Sequence, residues 1–234
     1  MARPGRPERN RAARSFRQLR RFHHGINSDK VFGTHRGALI TDGQGTLVTT
    51  RSCLLNPNRN PSCAGASRQS RIERALRSFG IKNVIWLEGD ACEPITSGHV
   101  DGYVMFTLGG HVLVESVDDT ETDAPPWRAH DILVLEQAID AAGHLIKVER
   151  VHAPRKRYWK YHGPFWAPCY LNAYVANGAV ITACFDDLER DLAARDTLQR
   201  TFPERKIVML RIDHVVSGGG GIRCLTQPIP DLNR

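Results

Sequence analysis

The sequence predicts a mixed α/β protein assembled from repeated hairpin–helix–strand units. Three observations carry that expectation. Three stretches show the three- and four-residue apolar spacing of amphipathic helices. Each is preceded by a pair of short apolar runs broken by a tight-turn sequence, and each is followed by a further short apolar run. The runs after the helices begin at Asn83, Leu145 and Lys206, intervals of 62 and 61 residues. Such a period denotes an array of supersecondary units, which bury their apolar faces only against one another.

In the first unit, residues 38–40 and 46–50 flank the turn Asp42-Gly43-Gln44-Gly45. The helix expected over 67–79 lines up Ile72, Ala75, Leu76 and Phe79, with Gly80 as its terminator, and the strand follows at 83–87. In the second, residues 103–107 and 111–115 flank Gly109-Gly110. A helix is expected over 128–142, carrying Ile132, Leu133, Leu135, Ala138, Ile139 and Ala142 and stopping at Gly143, with a strand at 145–151. In the third, residues 171–175 and 179–183 flank Asn177-Gly178, a strong hairpin signal. Its helix, 187–202, places Leu188, Leu192, Ala193, Leu198 and Phe202 on one face, has Asp186 or Asp187 as N-cap, and leads to a strand at 206–212. A fourth unit begins near Gly218 and stops, which suits a ring closed by strands from the start of the chain.

Composition narrows the function classes. With 41% hydrophobic and 24% charged residues the chain is neither disordered nor collagenous overall. Its longest apolar runs, such as residues 132–135, fall far short of the roughly twenty residues a membrane-spanning helix needs. The net charge of +7 suggests nucleic acid until it is divided: residues 1–36 hold nine Arg and one Lys against Glu8 and Asp29. The other 198 positions carry 22 basic and 23 acidic residues, so nucleic acid is not expected as a partner of the main body. Residues 1–36 read as a basic segment with little fixed structure. Six cysteines include no C-x-x-C pair and match no zinc-site spacing, and no secretory leader is evident, so a reducing, cytoplasmic setting with free thiols is expected. The mixed basic and aromatic run 155–162 reads as a loop beside a substrate entrance rather than a base-stacking surface.

In a pseudosymmetric array, equivalent positions of successive units converge around the axis. The segments entering the hairpins contain Arg36-Gly37, Gly98-His99-Val100-Asp101, Tyr170-Leu171-Asn172 and Gly221-Ile222-Arg223-Cys224. A His, an Asp and a Cys therefore take corresponding places. Cys and His distant in sequence but adjacent in space make the minimal nucleophilic pair, in which imidazole moves the thiol proton. In a strand, His99 and Asp101 point to one face, so a base and a carboxylate could share a site. Against this, a lone His is more often a satisfied core residue and a lone Cys more often packing, and Gly218 to Gly221 alone reads as a flexible turn.

Three segments together identify a family resemblance: Cys224 in Gly-Gly-Gly-Gly-Ile-Arg-Cys-Leu-Thr-Gln, His99 and Asp101 in Ser-Gly-His-Val-Asp-Gly, and residues 45–61, GTLVTTRSCLLNPNRNP. They resemble the agmatine deiminase family, the bacterial-type peptidyl-arginine deiminases of the guanidino-group-modifying superfamily. Residues 170–183, 201–205 and 207–210 are similar to later modules of the same family, so the resemblance runs from about Gly37 to the C-terminus. It implies a pentein-type α/β propeller of five units, with about one unit lacking at the N-terminus and 37–234 forming a partial catalytic domain. It also implies hydrolysis of a guanidinium (agmatine to N-carbamoylputrescine and ammonia, in putrescine biosynthesis) with no metal or organic cofactor.

Cys224 is then the nucleophile and His99 the acid and base. Asp101 binds the guanidinium nitrogens, with Asn172 and Gly221 as further substrate-binding positions. Arginine or peptidyl-arginine is the alternative small guanidinium substrate, a non-catalytic binding module with a basic tail is the alternative class, and a homo-oligomer is left open. Two departures stand out. His35-Arg36-Gly37 occupies the place of the family's Glu-Gly-Gly, and Arg223 stands beside the nucleophile where many members carry His. No Arg-Asp-x-Gly-Pro motif, the family's source of a second guanidinium-binding Asp, is present, which implies impaired activity.

Overall fold

The computed structural model describes residues 34–60, 65–117 and 125–229. Among these residues nine strands form three separate sheets of three. The first holds β1 (Ile40–Thr41), β2 (Thr46–Thr50) and β3 (Asn83–Leu87). The second holds β4 (Val104–Phe106), β5 (Val112–Ser116) and β6 (Val148–His152), and the third β7 (Tyr174–Val175), β8 (Ala179–Cys184) and β9 (Lys206–Arg211). A four-residue helix, α1 (Arg51–Leu54), follows β2. The longer helices α2 (Gly65–Ser78), α3 (Pro126–Gln137) and α4 (Leu188–Thr201) lead into β3, β6 and β9, and two short ones, α5 (Asp213–Val216) and α6 (Ile222–Leu225), follow.

Each sheet repeats one pattern. The middle strand pairs antiparallel with the strand before it and parallel with the strand after the helix. Thr46 faces Asn83, Val112 faces Val148 and Ala179 faces Lys206, so the sequence period is a repeated register. Covered on both faces, β2 and β5 are buried at every position, as strands carrying a parallel partner usually are. The cores lie between units as well as inside them. Ile40, Val48, Ile85 and Leu87 of the first unit pack with Val100, Val104, Val114 and Leu135 of the second. Met105, Leu113 and Val151 of the second pack with Tyr170, Phe185 and Leu198 of the third.

The structure corrects four local expectations. The second helix ends at Gln137, not Ala142: Ala138 is extended, Ile139 bridges to Leu145, and the Asp140 side chain accepts the Ala142 and His144 amides. Ile139 and Leu145 are thereby exposed, Gly143 serves the turn after the helix rather than its end, and β6 starts only at Val148. The α4 face is rotated. Leu188 and Leu192 face solvent, while Asp191, Ala194, Thr197 and Leu198 face inward. The cause is polar: buried Asp191 accepts the Tyr170 hydroxyl at 2.8 Å and the Phe185 amide at 3.1 Å, and Asp187, the N-cap, accepts the Arg190 amide and pairs with Arg155. Asp131 of α3 does the same, accepting the Tyr103 hydroxyl and the Glu88 and Gly89 amides. Finally, His99 and Asp101 do not lie in a strand, because residues Val100–Gly102 form a 3-10 turn. The expectations for the basic N-terminal segment lie outside the described residues up to Gly33.

Candidate active site

His99 is delivered by a loop that Glu93 ties together. Its carboxylate accepts the amides of Ile95 at 2.8 Å, Thr96 at 2.6 Å and Gly98 at 3.3 Å, and the Thr96 hydroxyl in turn accepts the His99 amide at 3.0 Å. Burial raises the Glu93 pKa, but hydrogen bonds from Thr96, Ile95 and Gly98 outweigh it and leave the carboxyl below its ordinary value. The base of the loop is fixed by the Thr50 hydroxyl, which donates to the Gly98 carbonyl at 2.6 Å.

A 3-10 turn at Arg36–Ala38 lies beside that loop. A Cβ on Gly37 would come within 2.5 Å of His99 Nδ1 and within 2.8 and 2.9 Å of the two Asp101 oxygens. His99 and Asp101 thus close on one glycine, and a larger residue there would have to displace them. The two meet through the turn, not through the strand alternation expected from the sequence.

Cys224 sits in α6, exposed, beside Gly221. Buried Asn172 holds it in place. The Asn172 side-chain amide donates to the Asp101 carbonyl at 3.1 Å and lies 3.4 Å from Cys224 Sγ, while its oxygen accepts the Cys224 amide at 3.4 Å. A Cβ on Gly221 would lie 2.6 Å from that oxygen, so glycine is required for the approach. Every site residue predicted from the sequence, Cys224, His99, Asp101, Asn172 and Gly221, lines one cavity of about 500 Å³.

Of the rest of the wall, only the run 155–162 was expected beside the entrance. Tyr103, Trp127, Trp159 and Trp166 supply aromatic surface, Lys156 and Trp159 come from the basic–aromatic run, and Glu115 faces the cavity from β5. Glu115 is buried, accepts the Tyr170 amide at 3.0 Å and is pushed up to about 7 by burial, against the opposing charge of Arg128. A lone carboxylate inside the apolar run Val112-Leu113-Val114 was its available signal. Among the described residues no group of His, Cys, Asp and Glu is arranged to hold a metal ion.

Burial holds His99 down to about 4, helped by the charges of Arg59 and His35 against Glu93, so its imidazole is neutral near pH 7. Its Nε2 is buried and without a hydrogen-bond partner. Burial pushes Asp101 up to about 6 although Arg223 and Arg36 pull it down, and burial together with Asp101 raises the Cys224 thiol. The two shifts near Gly37 act oppositely on stability. Protonated Asp101 favours folding below its unfolded value, a contribution lost as pH rises through about 6; neutral His99 favours folding above 6.5, a contribution lost as pH falls through about 4. Asp101→Asn removes only the first, so its stability should climb more steeply with pH between about 4 and 6 than that of the wild type. Thermal melts across that range check this; an unchanged slope counts against the Asp101 shift.

The family model of Porphyromonas-type peptidyl-arginine deiminase matches residues 8–230, and so begins inside the Arg-rich segment. The Pseudomonas aeruginosa agmatine deiminase is 34% identical over 220 residues, covering 83% of this chain and 56% of its own length. A solved Enterococcus faecalis agmatine deiminase is 30% identical with a TM-score of 0.71, covering 82% of this chain and 55% of the other. A Porphyromonas gingivalis structure is 25% identical with a TM-score of 0.73, covering 90% and 63%. The chain thus spans little more than half the length of the curated relative described.

Proposed function

Because the chain belongs to the Porphyromonas-type peptidyl-arginine deiminase family, we propose that its cavity hydrolyses a guanidinium group to a ureido group with release of ammonia. The observation that carries this reading is the convergence of Cys224, His99, Asp101 and Asn172 on one cavity of about 500 Å³. Neutral His99 accepts the Cys224 proton, and the thiolate attacks the guanidinium carbon. The resulting tetrahedral adduct expels one nitrogen, which takes the proton back from His99 and leaves as ammonia. An S-alkylthiouronium remains. His99 then deprotonates water, the hydroxide adds to the same carbon, and the C–S bond breaks as the adduct's hydroxyl proton passes to sulfur. The proton left on His99 goes to the released ammonia, so thiol and neutral imidazole are regenerated beside a ureido product.

Asp101 is suited to the paired N–H donors of the planar cation, since two carboxylate oxygens match two parallel donors. Aromatic walls from Trp127 and Trp159 favour such a cation by its attraction to ring faces. Agmatine, giving N-carbamoylputrescine for putrescine formation, is the favoured substrate, with arginine or an arginyl side chain next. In this reading the three β-sheet units are successive blades of a pentein-type propeller, residues 37–234 form the deiminase domain, and the setting is cytoplasmic.

The test is ammonia and ureido-product formation by the purified protein from agmatine, arginine and an arginyl peptide. Acid quenching during turnover should add the mass of the amidine fragment to the peptide that contains Cys224. Failure of all three substrates to release ammonia would overturn the reading.

A further inference from the structure

Asp101 is already occupied by cations of its own chain. Arg223 Nε stands 3.3 Å from Asp101 Oδ2, with both side chains largely withdrawn from solvent. Arg36, on the same glycine turn as Gly37, is a second guanidinium facing this carboxylate, and its Nη1 donates to the Thr226 carbonyl. One buried carboxylate therefore sits between two arginines, and a substrate guanidinium arriving there meets a local surplus of positive charge.

The two arginines differ in how they are held. Arg36 is anchored at its tip by a carbonyl of the chain. Arg223 is anchored by its backbone, whose amide donates to the Asn172 carbonyl at 3.1 Å, while its Nε makes no aligned hydrogen bond. At 3.3 Å and out of alignment, its Nε contact with Asp101 is a loose ion pair. A free guanidinium offering two parallel N–H groups to the two oxygens makes the stronger contact.

We propose that Arg223 is a built-in competitor for the guanidinium site: its side chain occupies Asp101 and must be displaced before a substrate guanidinium can pair there. Arg223 in this role is a specificity-setting residue that acts through Asp101. The proposal rests on the reading of the cavity as a guanidinium site. An internal cation at Asp101 then sets how tightly an external one can bind there.

Titration calorimetry in a Cys224→Ala background, which blocks turnover, reads the competition directly. The probes are agmatine, arginine and an arginyl peptide, each beside its ureido counterpart, which is neutral at the site end. Arg223→Gln should tighten binding of the guanidinium probes by about tenfold and leave the ureido compounds unchanged, since only the cation competes. A merely structural effect of the substitution would shift both classes together, and that outcome overturns the proposal. Equal or weaker guanidinium binding than wild type also overturns it while leaving the cavity assignment intact. Should the Gln variant melt at a much lower temperature, Arg223→Met carries the same comparison. Absence of guanidinium binding in every variant, wild type included, overturns the cavity assignment and the competitor with it.

Discussion

Cys224→Ala should cut ammonia release from the preferred guanidinium substrate by about a thousandfold or more, to the background rate. Covalent catalysis divides one hard displacement into two easier steps, and no other group in the cavity can replace the sulfur in both. Cys92 and Cys169 also line the wall, but it is Cys224 that the Asn172 side chain fixes beside Asp101. Cys184→Ala, a change outside the cavity, is the control and should keep its rate. The same experiment has a pH signature. Burial and Asp101 raise the Cys224 thiol above its ordinary value while His99 is neutral, so the free protein holds a thiol and a waiting base near pH 7. Alkylation of Cys224 by iodoacetamide should therefore be slow at neutral pH and accelerate with rising pH. Undiminished turnover in Cys224→Ala would remove the sulfur from the mechanism.

Asp131→Ala should destabilise the fold by about 3–5 kcal/mol, the largest single loss expected away from the chemistry. Asp131 is fully buried on α3 and accepts three donors: the Glu88 amide at 2.6 Å, the Gly89 amide at 3.0 Å and the Tyr103 hydroxyl at 2.7 Å. Alanine leaves all three without an acceptor in a dry environment, and each stranded donor costs about 1–3 kcal/mol. The damage reaches the site, since residues 88 and 89 open the loop that Glu93 closes around His99. Tyr103→Phe removes one donor with its hydroxyl and should cost only about 1 kcal/mol, while the double variant should lose less than the two single losses added together, because no hydroxyl is then stranded. Denaturant melts of the three proteins decide it. A loss under about 1 kcal/mol for Asp131→Ala would show that water reaches these donors.

Local pattern alone settled a good deal of this protein. The turn pairs Asp42-Gly43 and Asn177-Gly178, the apolar runs on either side of them and a spacing near 62 residues already define three hairpin–helix–strand units. β3 spans residues 83–87 as expected, although β6 starts at Val148 rather than Leu145, and the strand starts lie 65 and 58 residues apart. Corresponding positions of those units also pointed to His99, Asp101 and Cys224, which line one cavity. These features live in short windows, where backbone sterics and side-chain periodicity act between neighbours. Tertiary structure decided the rest. The rotation of α4 follows Asp191 and its partners Tyr170 and Phe185, so Leu188 and Leu192 face outward despite their apolar spacing. The pairing of Asp101 with Arg223 joins residues 122 positions apart, and the Gly37 contact with His99 spans 62. Periodicity reports which side chains are apolar; it carries no information about which buried polar group will find its partner across the molecule. That choice is fixed by desolvation, which makes an unpaired buried charge or amide too costly to leave and turns a helix, or recruits a distant arginine, to satisfy it.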